Sequence, residues 1–213
     1  YFGVVPVIFT YLPFYLITGH HINNNIVVFI GIIGIILSVV SLLKKVVTKY
    51  FSNISLGTFL MLLMFILYGN HFIIFYAAKR PDFYNIPIIW GIMFSLIGIN
   101  FWLKSKKEDK LDKKYLFLGS LSMALVAGCR PQLLLASFIS VFLFWNEFKD
   151  KKILSKKSIK ETICFMLPYI IVAILLMWYN HARFNSPFDF GANYNLTTND
   201  MTSRGFNFER IGL

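Results

Sequence analysis

The sequence predicts an all-α, polytopic integral membrane protein, with about six transmembrane helices preceded by an N-terminal juxtamembrane helix. Three observations carry this expectation. First, 57% of the 213 residues are hydrophobic and 18% aromatic, and the mean hydropathy is +0.64, well above the composition of a soluble domain. Second, apolar stretches alternate with lysine-rich runs. Of 21 Lys and Arg, three lie in Lys44–Lys49, six in Lys104–Lys114 and six in Lys149–Lys160. Basic runs between membrane segments mark cytoplasmic loops. The net charge of +11 therefore reports topology, with membrane lipids as partners and no nucleic acid. Third, the remaining basic residues are Lys79, Arg80, Arg130, Arg183, Arg204 and Arg210, a set that holds all five arginines. Lysine sits on the cytoplasmic side and arginine on the outer side, where its planar fork suits phosphate or carboxylate.

Taken in order, Tyr1–Gly19 is apolar and aromatic but holds Pro6 and Pro13. It is short of the ~20 apolar residues a span needs. Two prolines predict a broken helix lying at, or dipping into, the interface. His20-His21 and Asn23–Asn25 form a polar turn. Ile26–Leu43 crosses inward and stops at Lys44-Lys45; Ile54–Tyr68 returns, and Phe72–Ala78 extends it at the outer interface. Asn70-His71 would lie near that outer end, where His71 is an interfacial candidate. The outer loop Lys79-Arg80-Pro81-Asp82-Phe83-Tyr84 contains the first acidic residue of the chain. Ile86–Leu103 then runs inward, with Pro87 in its first turn, where proline is tolerated.

Tyr115–Trp145 is an apolar stretch flanked by lysine runs on both sides and interrupted once, at Arg130-Pro131. Basic flanks place both of its ends in the cytoplasm, so the stretch must cross and come back as a hairpin of two short helices. Arg130 would sit at the turn, and a permanent charge at such a depth marks a candidate functional site. Thr162–Tyr179 runs outward again. Asn180–Leu213 is polar, aromatic and rich in Asn and Gly, as turns are, and carries Arg183, Asp189, Asp200, Arg204, Glu209 and Arg210. The organisation expected is a single transmembrane domain: 1–19 juxtamembrane helix, 26–179 bundle and 180–213 external loop.

Several chemistries are absent from the sequence. It has no phosphate-cradling glycine loop or nucleotide fingerprint, no zinc spacing and no readable Ser-His-Asp arrangement. Cys129 and Cys164 lie inside apolar segments and read as small hydrophobic residues. No charge falls in the middle of a long span, as a proton-coupled transporter would show, and no transporter-type internal repeat is evident. What remains is a set of outer-face residues, Arg80, Asp82, Arg130, Arg183 and His71. Cations grouped with a carboxylate at a membrane surface suit an anionic lipid substrate.

Four stretches, in this order, resemble the bacterial GT-C class of membrane glycosyltransferases, in the protein-mannosyltransferase and aminoarabinose-transferase group, and more closely its Firmicutes-type members. They are Tyr1–Pro6 running to Tyr11–Tyr15, Arg80–Tyr84, Gly128–Gln132, and Ala182–Gly191. The resemblance implies an enzyme that moves a sugar from a polyprenyl-phosphate donor to a glycan, lipid or protein acceptor. The reaction would take place at the outer face of the bacterial cytoplasmic membrane. It implies that Tyr1–Gly19 is the proline-bearing juxtamembrane helix, with a single Pro6 where the family has a proline pair. It also implies that this chain is a fragment whose catalytic loop, carrying the main base, precedes Tyr1. Asp82 would then act as a catalytic residue that positions the acceptor or holds a divalent cation, if one is used. Arg80, Arg130, Tyr84, Arg183 and Asp189 would bind substrate. A transporter or flippase of lipid-linked sugars and a non-catalytic membrane scaffold remain open alternatives.

Overall fold

The elements formed in the computed structural model are helical, with one isolated bridge between Lys106 and Leu111 closing a loop. The structure describes residues 3–51, 53–69, 72–107 and 110–189. The helices are α1 (Val4–Thr18), α2 (Asn24–Tyr50), α3 (Leu56–Gly69), α4 (Phe72–Lys79), α5 (Asn85–Ser105), α6 (Lys113–Cys129), α7 (Pro131–Leu143), α8 (Trp145–Lys149) and α9 (Ile159–Phe184). Among the described residues three helices are long and apolar enough to cross a membrane: α2, α5, and α9 with its preceding turn from Lys156. α1, α3 and α7 are apolar but shorter.

α1 differs from the broken helix expected of two prolines. It continues through both, because Val7–Tyr11 widens into a π turn immediately before Pro13. Pro13 has no N–H for the carbonyl four residues back, and a π turn absorbs such a missing bond without ending the helix. The Thr10 hydroxyl donates to the Pro6 carbonyl at 2.6 Å. Gly19, at φ 70°, then stops the helix in the left-handed conformation, its N–H donating to the Tyr15 carbonyl.

The expected hairpin is present, with Arg130 extended between α6 and α7. Its second leg is not α-helical throughout: Pro131–Phe138 is a 3-10 helix followed by α-helix over Ile139–Leu143. A 3-10 helix rises ~2.0 Å per residue against ~1.5 Å for an α-helix. The shorter second leg therefore reaches about 23 Å, close to the ~26 Å of α6.

By contact the chain divides into two compact units, Phe2–Val172 and the segment from Ala173 onward. In the first unit α5 is the hub. α2 runs parallel to it, pinned by Trp90 Nε1 donating to the Val27 carbonyl at 3.1 Å near one end. Near the other end Asn100 Nδ2 donates to the Ser38 carbonyl at 2.9 Å. α6 runs antiparallel to α5, and the two cross at Gly98 and Gly119. A Cβ on either glycine would lie 3.0–3.1 Å from the other's carbonyl oxygen. Small residues let membrane-type helices approach to backbone contact.

Two apolar cores follow from this arrangement. One gathers Val27, Ile35, Ile89, Trp90 and Val126 where α5 begins. The other gathers Trp102, Leu116, Met123, Phe144 and Phe165 where α5 ends. Trp102 is fully buried there and donates to Ser120 Oγ at 3.2 Å.

Candidate functional site: the arginine end of the bundle

The helix directions decide which sequence-predicted residues meet. α5 begins where α6 ends, so the Arg80–Tyr84 loop and Arg130 come to the same end of the first unit. Gly3 makes the junction close. Its φ is 76°, and a Cβ there would strike the Cys129 carbonyl oxygen and lie 3.1 Å from Pro87 Cβ. Only a residue without a side chain allows the start of α1 to touch both the last turn of α6 and the first turn of α5.

Asp82 is half-buried and organises its loop. One oxygen, Oδ1, accepts from the backbone N–H of Tyr84 at 3.0 Å and of Asn85 at 2.9 Å. The Asn85 amide in turn donates to the Arg80 carbonyl at 2.9 Å. Asp82 is thus the cap of α5, placed where a negative charge also meets the positive end of the helix dipole. This structural task by itself accounts for an aspartate at the position. Oδ2 makes no hydrogen bond among the described residues.

Arg80 is exposed and packs over the Tyr76 ring at 6.0 Å. Tyr84 is exposed, its ring 4.5 Å from that of Phe83. Arg130 is half-buried; its N–H donates to the Val126 carbonyl and its carbonyl accepts from Leu133. Among the described residues its guanidinium makes no ion pair.

A cleft of about 500 Å³ opens at the same end, between α1, the start of α2 and the Asp82 loop. Its lining includes Tyr11, Tyr15, His21, Asn24, Phe83 and Pro87. The walls are apolar and aromatic. The polar groups gather on one side: Tyr11 Oη donates to Asn24 Oδ1 at 2.5 Å, and His21 stacks on Tyr15 at 5.3 Å. None of Arg80, Asp82, Tyr84 and Arg130 lines this cleft, whereas Pro6, Tyr11 and Tyr15, from the first of the resembling stretches, do, as does Phe83 between Asp82 and Tyr84. The sequence signal for Tyr11 and Asn24 is weak, an aromatic on a proline-bearing helix and an Asn in a turn.

Arg183 and Asp189 belong to the second unit. The Arg183 guanidinium donates to Tyr179 Oη at 2.8 Å and lies over the Tyr179 and Phe184 rings at 5.3 and 4.9 Å. Asn180 is fully buried; its amide donates to the Pro187 carbonyl at 3.3 Å, while Oδ1 has no partner among the described residues. Asp189 is half-buried. His71, Asp200, Arg204, Glu209 and Arg210 lie outside the described residues. Among the described residues no group of His, Cys, Asp and Glu is arranged to hold a metal ion. Compared with known protein families, curated proteins and solved structures, the chain matches none.

Proposed function

We propose that this chain is the membrane-embedded part of a glycosyltransferase that takes a sugar from a polyprenyl-phosphate donor at the outer face of the bacterial cytoplasmic membrane. The observation that carries the reading is the sorting of two kinds of cation along the first unit, with arginine, joined by Lys79, at one end and a run of lysines at the other. Arg80 and Arg130 lie where α5 begins and α6 ends, beside an apolar cleft. Lys104, Lys106, Lys113 and Lys114 lie at the opposite end. Large apolar side chains point outward between the two: Leu37 is 64%, Phe65 70% and Phe142 80% exposed. Such surfaces suit a bilayer, with the lysine end in the cytoplasm.

In this reading an acceptor hydroxyl attacks the anomeric carbon and displaces the lipid phosphate. The departing phosphate gains charge as the bond breaks, and a half-buried guanidinium without a carboxylate partner meets that charge where it develops. Arg130 has this character, and Arg80 lies on the same end. The cleft accepts the first units of an isoprenoid chain against Tyr15, Phe83 and Pro87. Asp82 spends one oxygen on the α5 cap, which suits it to orient a hydroxyl through the other; the base that takes the proton lies elsewhere.

The test uses the protein in membranes supplied with a polyprenyl-phosphate sugar, at matched expression. Arg130→Ala should lower transfer about a hundredfold, the scale of losing one fixed transition-state contact, and Arg130→Lys should restore part of it. Unchanged transfer in Arg130→Ala would overturn the role. Movement of the lipid across the bilayer without sugar transfer would replace the enzyme with a transporter.

A further inference from the structure

A second feature lies at the opposite end of the first unit and is independent of glycosyl transfer. Lys45, near the end of α2, is half-buried and fixed in place. Its ammonium donates to Asn100 Oδ1 at 2.6 Å and to the Asn100 carbonyl at 3.0 Å. Asn100 is itself held by donating to the Ser38 and Leu96 carbonyls at 2.9 and 3.1 Å. Two of the three ammonium protons are used, so one donor is left. Lys104 stands one turn beyond Asn100 on α5 and therefore on the same face. Its ammonium lies 4.2 Å from the centre of the Tyr115 ring, and Tyr115 stacks on Phe101 at 6.2 Å. Two like charges are thus brought together on one side of the bundle.

The neighbouring carboxylates do not neutralise them. Among the described residues at this end, Asp112 pairs with Lys107 at 2.8 Å, Glu147 with Lys106 at 2.9 Å, Glu161 with Lys113 at 3.3 Å and Asp150 with Lys152 at 3.7 Å. Each is already engaged with another lysine. Lys45 and Lys104 thus stand on one side of the bundle with no carboxylate paired to either among the described residues.

We infer that Lys45 and Lys104, with Tyr115 beside them, bind the phosphate of an anionic phospholipid headgroup. A diester phosphate carries a single negative charge and several acceptor oxygens, enough to take the free donor of Lys45 and the ammonium of Lys104 together. The lipid source is favoured over free phosphate by what adjoins the cations. Leu37, about two turns before Lys45 on α2, is an exposed apolar side chain that an acyl chain would cover. The inference rests on the membrane reading but not on the enzymatic one.

The experiment titrates dioleoyl-phosphatidylglycerol into the purified chain in mild detergent and counts bound lipid by native mass spectrometry, with dioleoyl-phosphatidylcholine as the comparison. Wild type should retain the anionic lipid and not the zwitterionic one. Lys104→Gln should bind about fivefold more weakly, the share of one lysine at a membrane surface, while Lys104→Arg should bind as wild type. Lys107→Gln should not weaken binding, since that lysine is already paired. Lys104→Gln leaves the Lys45–Asn100 contact intact, so loss of binding is not loss of the helix pair. Equal retention of both lipids, undiminished binding by Lys104→Gln, or displacement of the lipid by millimolar inorganic phosphate would overturn the inference.

Discussion

Replacing Asp82 separates two tasks that one side chain performs. Its Oδ1 takes the N–H groups of Tyr84 and Asn85 and closes the first turn of α5. Asp82→Ala leaves both donors without that acceptor, and loss of such a cap costs about 1–2 kcal/mol. Asp82→Asn keeps an oxygen of the same reach, so it loses only the charge–dipole share, about 0.5 kcal/mol. The two variants should therefore rank clearly in a detergent unfolding titration, with Ala well below wild type and Asn close to it. In Asp82→Ala the damage should extend to Asn85, which ties the loop to the Arg80 carbonyl, and to Phe83, which walls the cleft. Sugar transfer, measured on the same preparations, reads the second task. If the negative charge orients the acceptor, Asp82→Asn lowers transfer at nearly wild-type stability. Equal stability of Ala and wild type would refute the cap. Normal stability together with normal transfer in Asp82→Asn would refute any role for the charge.

Two further outcomes follow from the packing and from the loops. Gly119→Ala places a Cβ 2.8 Å from Trp102 Nε1 and 3.0 Å from the Gly98 carbonyl. It should destabilise by about 1–3 kcal/mol through overpacking, even though alanine is the better helix former. Gly57→Ala, whose Cβ would meet nothing closer than 3.7 Å, should be neutral or slightly stabilising in the same unfolding titration. At the surface, the hydrogen bond from Lys107 holds the Asp112 carboxyl below its ordinary 3.8, and Asp112 raises Lys107 above its ordinary 10.5. The carboxyl contributes stability above its unfolded value and loses it as pH falls through the lowered one. The ammonium contributes below its unfolded value and loses it as pH rises through the raised one. The small stability difference between wild type and Asp112→Asn should thus be present near neutral pH, vanish toward both extremes and shrink with added salt. A difference that grows on acidification would contradict the pairing.

Much of the secondary structure was legible because apolar length and lysine placement are local signals. The stretches 26–43, 86–103 and 162–179 each lie inside a helix, α2, α5 and α9, and in every case the helix is longer than the apolar window. The excess has a simple reason. Hydropathy marks where a helix is greasy, whereas backbone hydrogen bonding continues through Lys44-Lys45, Lys104 and Lys160 until a cap or a turn stops it. The hairpin at Arg130 was legible for a related reason, since equal basic flanks require the chain to return. The 3-10 start of its second leg was not, because apolar length and basic flanks do not distinguish a 3-10 from an α-helix. Nor did composition reveal the π turn of α1, where two prolines read as a break.

The candidate site divides in the same way. The sequence by itself determined the helical class, the order of the apolar segments and the sorting of arginine from lysine, because each of these is written in residue type and spacing. The shared inward direction of α2 and α5 was already read from the lysine runs; only the tertiary structure decided that the two helices lie side by side, and that Gly3 touches the end of α6. It also decided that Asp82 caps α5, and that Tyr11, Asn24 and Phe83 enclose a cleft none of the charged candidates enters. These are contacts between residues far apart in the chain. They are chosen by which small residues let two backbones meet, and a spacing rule read along one strand of sequence carries no record of its neighbour.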